Sequence, residues 1–132
     1  MLAIHAEPDA RRKLRIYARA LGSIHGRLAP LLNVLKEAAA GDDELVKLWE
    51  GISERRAKNM QRFAAELLAT GQLRGDVDVQ EAADVIWATN APEFYLLLVS
   101  ERGWSKAKFE TWLAEAWIRL LVREEVQPEP PR

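Results

Sequence analysis

The chain has 132 residues, no cysteine and a formal net charge of −1. That length suits one domain, whose core buries roughly two-thirds of the unfolded chain's surface. The lack of cysteine excludes disulfides, thiolate zinc sites and thiol catalysis and fits a reducing cytoplasm, and the near-neutral charge gives nucleic acid no global attraction. No apolar run approaches the roughly 18 residues that a membrane helix needs, and the opening MLAIHAEP is too short and too polar for a signal peptide.

Ala, Leu, Glu and Arg dominate and β-branched residues are sparse, so helix is expected nearly everywhere. Residues 1–7 are expected to be a disordered lead, with Pro8 in the first helical turn and Asp9 beside it favouring the helix dipole. Leu14, Tyr17, Ala18, Leu21, Ile24 and Leu28 recur at helical spacing. Pro30 is expected to break or kink this helix, because it lacks an N–H and disfavours helix at Ala29. A second segment, from Leu31 to Ala38, is closed by Gly41.

Asp42 is placed to cap a long helix with the stripe Leu45, Leu48, Trp49, Ile52, Met60, Phe63 and Leu67. Gly71 ends it, and residues 72–77 read as a loop. Asp78, with Glu81 three residues on, has the form of a capping box before Val79, Ala82, Ala83, Ile86 and Trp87. Asn90-Ala91-Pro92-Glu93 interrupts the helix and reads as a kink or a re-capped start, with Asn90 as N-cap. Apolar helix resumes from Phe94 to Ser100 and stops at Gly103. Ser105 caps the last helix, and Trp104 and Phe109 are spaced for a hydrophobic staple. The expectation is one all-α helical bundle of about five to six helices over residues 8–124, followed by a flexible proline-rich tail over 125–132.

Little catalytic chemistry is legible. H-E-x-x-H, E-x-x-H, G-x-S-x-G, a P-loop and G-x-G-x-x-G are all missing, so neither an enzyme nor a metal or cofactor site is expected. Arg11, Arg12, Lys13, Arg15 and Arg19 form a basic cluster that reads as a solvated helix face, and His5 as a solvated terminal residue. More informative are polar residues that interrupt apolar stripes: His25 on the first helix, Arg55, Arg56 and Asn59 on the long helix, and Asn90 after Trp87. A polar group buried without a partner costs about 1–3 kcal/mol, so such residues need one another, water or a ligand. Taken singly, Asn90 reads as a cap and Arg55 and Arg56 as exposed. Taken as a set, they read as the polar contacts of an apolar ligand cavity formed by His25, Trp49, Arg56, Asn59, Met60, Phe63, Trp87 and Asn90.

The stretch from Asp78 to Val122 holds more apolar surface than a small domain can bury against itself. A partner face is expected on Phe94, Leu97, Leu98, Trp104, Phe109, Trp112, Leu113, Ala116, Trp117 and Leu120.

These segments carry a resemblance. E-A-A-D-V-I-W-A-T-N-A-P-E-F-Y-L-L-L-V (81–99) and R-G-W-S-K-A-K-F-E-T-W-L-A (102–114) are its most specific parts, with E-P-D-A-R-R-K-L-R-I-Y-A-R-A-L (7–21), R-L-A-P-L-L-N-V-L (27–35) and L-W-E-G-I-S-E-R-R (48–56) beside them. They resemble the C-terminal, effector-binding and dimerisation domain of TetR-family transcriptional regulators. The resemblance implies a cytoplasmic homodimer through the last two long helices, a small-molecule effector held among the earlier helices, and no membrane partner. It also implies DNA binding only through a helix-turn-helix domain, which this chain does not supply. A helical interaction module without a cavity is the alternative reading, and a small helical enzyme a further one.

Overall fold

The computed structural model describes residues 2–124, without the side chains of Leu2 and Ala3; the expected tail at 125–132 lies outside the described residues. Six helices follow in chain order: α1 (Leu2–Ala6), α2 (Ala10–Ala39), α3 (Asp43–Ala69), α4 (Val79–Thr89), α5 (Pro92–Tyr95) and α6 (Lys106–Leu121). A π-helical turn, Leu96–Glu101, continues α5 directly. The all-α bundle read from the sequence is therefore the fold observed.

Local chemistry starts the helices where side-chain oxygens can meet orphan amides. Asp9 accepts from the Arg12 amide, Asp42 from Glu44 and Leu45, Asp78 from Glu81, and Ser105 from Lys108. Gly71 and Gly103, both in the left-handed region (φ +73° and +74°), end α3 and the π-helical turn.

Several local expectations are corrected. Residues 2–6 are not a disordered lead but helix, and Ile4 is buried in the core. Pro8 precedes the helix, because Asp9 is the cap. Pro30 does not divide α2, which runs unbroken to Ala39; Ala29 is fully buried, and packing on that side overrides the missing N–H. Lys13 is not a solvated cation: it is buried and its Nζ donates to the Ile4 carbonyl at 2.6 Å, with Glu66 3.9 Å away. His5 is exposed, but its Nδ1 lies 2.6 Å from Glu66. Trp104 staples not to Phe109 but edge-on to Trp112, with ring centroids 5.9 Å apart.

α2 is the central element and packs chiefly on α6, with α3 and α5 also against it. The core joins Leu14, Ala18 and Leu21 of α2, Met60, Phe63, Ala64 and Leu67 of α3, Ala82, Ala83 and Ile86 of α4, and Phe109, Leu113, Trp117 and Leu121 of α6. Small residues at 18, 64, 82 and 83 let the helix backbones approach while the large ones interdigitate. The Trp117 indole is fully enclosed, and its Nε1 donates to Thr89 Oγ1 at 2.7 Å. The end of α6 and the residues just after it are clasped to the 72–77 loop by two backbone bonds, Arg74 to Leu121 and Arg123 to Gln72, each 2.9 Å. Gln72 also accepts from the Ala10 amide, so the clasp reaches the start of α2.

Candidate functional site

α2, α3 and the α4–α5 junction enclose a cavity of about 190 Å³. Leu21, Ile24 and Leu32 of α2, Trp49 and Ile52 of α3, and Pro92 give it a mainly apolar wall. Tyr17, His25, Arg56 and Asn90 supply its polar groups. Two larger hollows, one between Arg15, Arg19, Glu110 and Glu115 and one around His5, Lys13 and Glu66, are charged surface clefts. They lack the apolar enclosure of a small-molecule site.

Asn90 organises the polar groups. Its backbone N–H closes α4 on Ile86, so it is the C-cap of α4 and not the N-cap expected for the next helix. The start of α5 instead relies on Pro92, whose missing N–H would have had no helical partner there. The Asn90 side chain is thereby free to turn inward, where it is almost completely buried. Its Oδ1 accepts a short hydrogen bond from Arg56 Nη2, and its Nδ2 donates to the Tyr17 hydroxyl at 2.9 Å and approaches Met60 Sδ at 3.3 Å. Arg56 Nη2 also donates to the Trp87 carbonyl at 3.0 Å, and the guanidinium lies 5.4 Å from the Trp87 ring centroid.

His25 is buried, with Nε2 2.7 Å from the Asn90 carbonyl. A carbonyl only accepts, so Nε2 carries the proton and Nδ1 is left as a lone pair. Nδ1 is buried with no hydrogen-bond partner among the described residues. Burial holds the imidazole below its usual range and the positive Arg56 adds to that, against opposite effects of the Asn90 carbonyl and Glu93. Burial likewise lowers the Arg56 pKa and raises that of Tyr17.

The structure thus gathers His25, Trp49, Arg56 and Asn90 around one cavity. Trp87 braces Arg56 from behind, its own Nε1 donating to the Ser53 carbonyl at 3.3 Å, and does not line the cavity. Asn59, Met60 and Phe63 face a second, more open hollow of about 400 Å³ beside α1. Tyr17 and Ile24 belong to both walls, so the two spaces adjoin through them. The expected set is therefore split: Asn59 is exposed on the outer hollow, while Met60 touches the polar group only through its sulfur. Sequence reasoning missed Tyr17, Leu21, Ile24, Leu32, Ile52 and Pro92. Tyr17 had a signal, a phenol on an apolar stripe two helical turns before His25.

The expected partner face is corrected in three positions. Phe109, Leu113 and Trp117 are fully buried in the protomer, because they form the stripe that seats α6 on α2. They are not available to a second chain. Leu97, Trp112 and Leu120 remain exposed, and Phe94, Leu98, Trp104 and Ala116 are half-buried. Phe94 stacks on Trp112 at 6.4 Å, which joins the end of α5 to α6 as one apolar surface. A separate exposed apolar group, Leu28, Leu31, Val34 and Leu48, lies on α2 and α3.

Among the described residues, no group of three or more His, Cys, Asp or Glu side chains is placed to hold a metal ion, and no helix is long and apolar enough to cross a membrane. The chain matches no protein-family model, no curated protein and no solved structure.

Proposed function

We propose that this chain is the effector-sensing and homodimerisation domain of a TetR-like transcriptional regulator, working without catalysis in the cytoplasm. A small, largely apolar molecule occupies the cavity at Asn90, and this chain alone makes no DNA contact. The observation that carries it is the Arg56–Asn90–Tyr17 group, centred on the buried Asn90, on the wall of an apolar cavity between three helices. A ligand there touches α2, α3 and the α4–α5 junction at once. It shifts their arrangement to the extent that it binds one arrangement better than another. The apolar face of Leu97, Trp112 and Leu120 supports pairing with a second copy.

A thermal-shift screen with small apolar and amphipathic molecules, run beside light scattering, tests the reading. Ligands that raise the melting temperature of a dimer, and lose that effect in Ile52→Trp, which fills the cavity, support it. A stable dimer with no stabilising ligand supports instead a pure dimerisation module, the reading that the same exposed face favours. A monomer without ligand response overturns both.

A further inference from the structure

The Arg56 guanidinium has an unusual electrostatic position. It is half-buried in an otherwise mainly apolar wall, and no carboxylate lies within ion-pair distance of it among the described residues. Its hydrogen bonds run from Nη2 to two neutral oxygens, the Trp87 carbonyl and Asn90 Oδ1. Among the described residues, Nη1 and Nε have no hydrogen-bond partner. Glu93, the carboxylate whose charge acts on Arg56, is itself held by Lys36 at 2.6 Å. The other basic side chain in the wall, His25, is kept neutral by burial. The cavity therefore presents one uncompensated positive charge beside apolar surface. A charge removed from water is costly until it is paired.

Resting on the ligand-cavity reading above, we infer that the cavity selects small organic carboxylates, with the carboxylate on Arg56 and a compact apolar body among Leu21, Ile24, Trp49 and Ile52. Size limits the body: a void of about 150 Å³ accepts benzene, so 190 Å³ fits a single ring or a short branched chain with its acid group. Charge favours a carboxylate over a phosphate, because one guanidinium matches one planar monoanion through paired N–H bonds. A phosphate dianion would leave its second charge unpaired in apolar surroundings.

Calorimetric titration of the purified chain with benzoate, benzamide and benzylammonium tests this. The three differ little in shape and differ in charge. Benzoate is expected to bind at least tenfold more tightly than benzamide, with benzylammonium excluded. Arg56→Gln is expected to lower benzoate affinity at least tenfold and benzamide affinity less than threefold, with helicity by circular dichroism checking the fold. The wild-type comparison decides the matter even if that variant does not fold. Benzamide binding as well as benzoate overturns the carboxylate inference and leaves the ligand cavity standing. No binding of any probe at millimolar concentration, with no stabilising molecule in the wider screen, overturns the cavity reading and this inference with it.

Discussion

His25 and Asn90 are joined across 65 residues of sequence by a 2.7 Å hydrogen bond from the imidazole Nε2 to the backbone carbonyl. That bond ties the middle of α2 to the junction where α4 stops and α5 begins. The Asn90 side chain meanwhile reaches Arg56 on α3 and Tyr17, two turns before His25 on α2. One residue thus links three helices around the cavity, and a ligand that displaces any of these bonds changes how the helices sit together.

Removing the Asn90 side chain leaves the Tyr17 hydroxyl without its donor and one Arg56 N–H without its acceptor. Asn90→Ala is expected to lower stability by about 2 kcal/mol, since each buried group so stranded costs about 1–3 kcal/mol before relaxation. Urea unfolding read as a shifted midpoint at constant slope measures it. Asn90→Asp is expected to cost less, because its carboxylate pairs with Arg56 and accepts from Tyr17. For the same reason it should compete with any anionic ligand. Equal losses for the two variants would show that Arg56 does not respond to charge at this position.

The depressed pKa of His25 sets a pH dependence with a definite sign. Above its ordinary value of 6.5 the imidazole is neutral in both folded and unfolded chains and contributes nothing to the slope. As pH falls below 6.5 the unfolded chain takes up the proton first, so stability is lost progressively down to the lowered native value. His25→Gln should flatten this part of the stability curve, below the ordinary value of 6.5. A slope that persists unchanged in the variant would assign the effect to another group.

Core and surface positions on α6 are expected to separate cleanly. Trp117→Ala opens a large cavity and removes the N–H that Thr89 Oγ1 accepts, although that hydroxyl keeps its own bond to the Val85 carbonyl, at a cost of about 3–5 kcal/mol. Trp112→Glu combined with Leu97→Glu changes exposed side chains and should cost the protomer clearly less than Trp117→Ala, the loss coming from the Trp112 ring contacts with Phe94 and Trp104. Light scattering over a dilution series should then show the double variant as a monomer where the wild type is a dimer. A double variant of unchanged mass would remove this face from consideration as the pairing surface.

Gly103 adopts φ +74° in the turn that seats Trp104 against Trp112. A Cβ there meets no neighbour within 4 Å, so the cost of Gly103→Ala is backbone strain alone, about 1 kcal/mol. Thermal melting gives the value. A loss several times larger would mean that the turn makes contacts beyond this protomer's own.

The helical class, the caps at Asp42, Asp78 and Ser105, and the stop at Gly103 were legible in the sequence, because each depends on residues within four positions of one another. Asp9 was legible as a helix-start residue but not as the cap itself, since Pro8 fits a first turn equally well in isolation. The polar cluster was legible in part. Arg56, Asn90 and His25 stood out as polar breaks in apolar stripes, yet nothing local distinguished a capping Asn90 from one that turns inward.

Tertiary structure alone decided the remainder. It enclosed Lys13 over the Ile4 carbonyl, carried α2 through Pro30, made Tyr17 and Ile24 a wall shared by two hollows, and divided the broad apolar surface of α6 into a buried stripe and an exposed one. Periodicity states that a helix has apolar sides; it does not state which of two apolar sides meets α2. That choice is made by the fit of Phe109, Leu113 and Trp117 against small residues such as Ala18. Such a fit depends on the distance between helices far apart in sequence, a quantity that no short stretch of the chain contains.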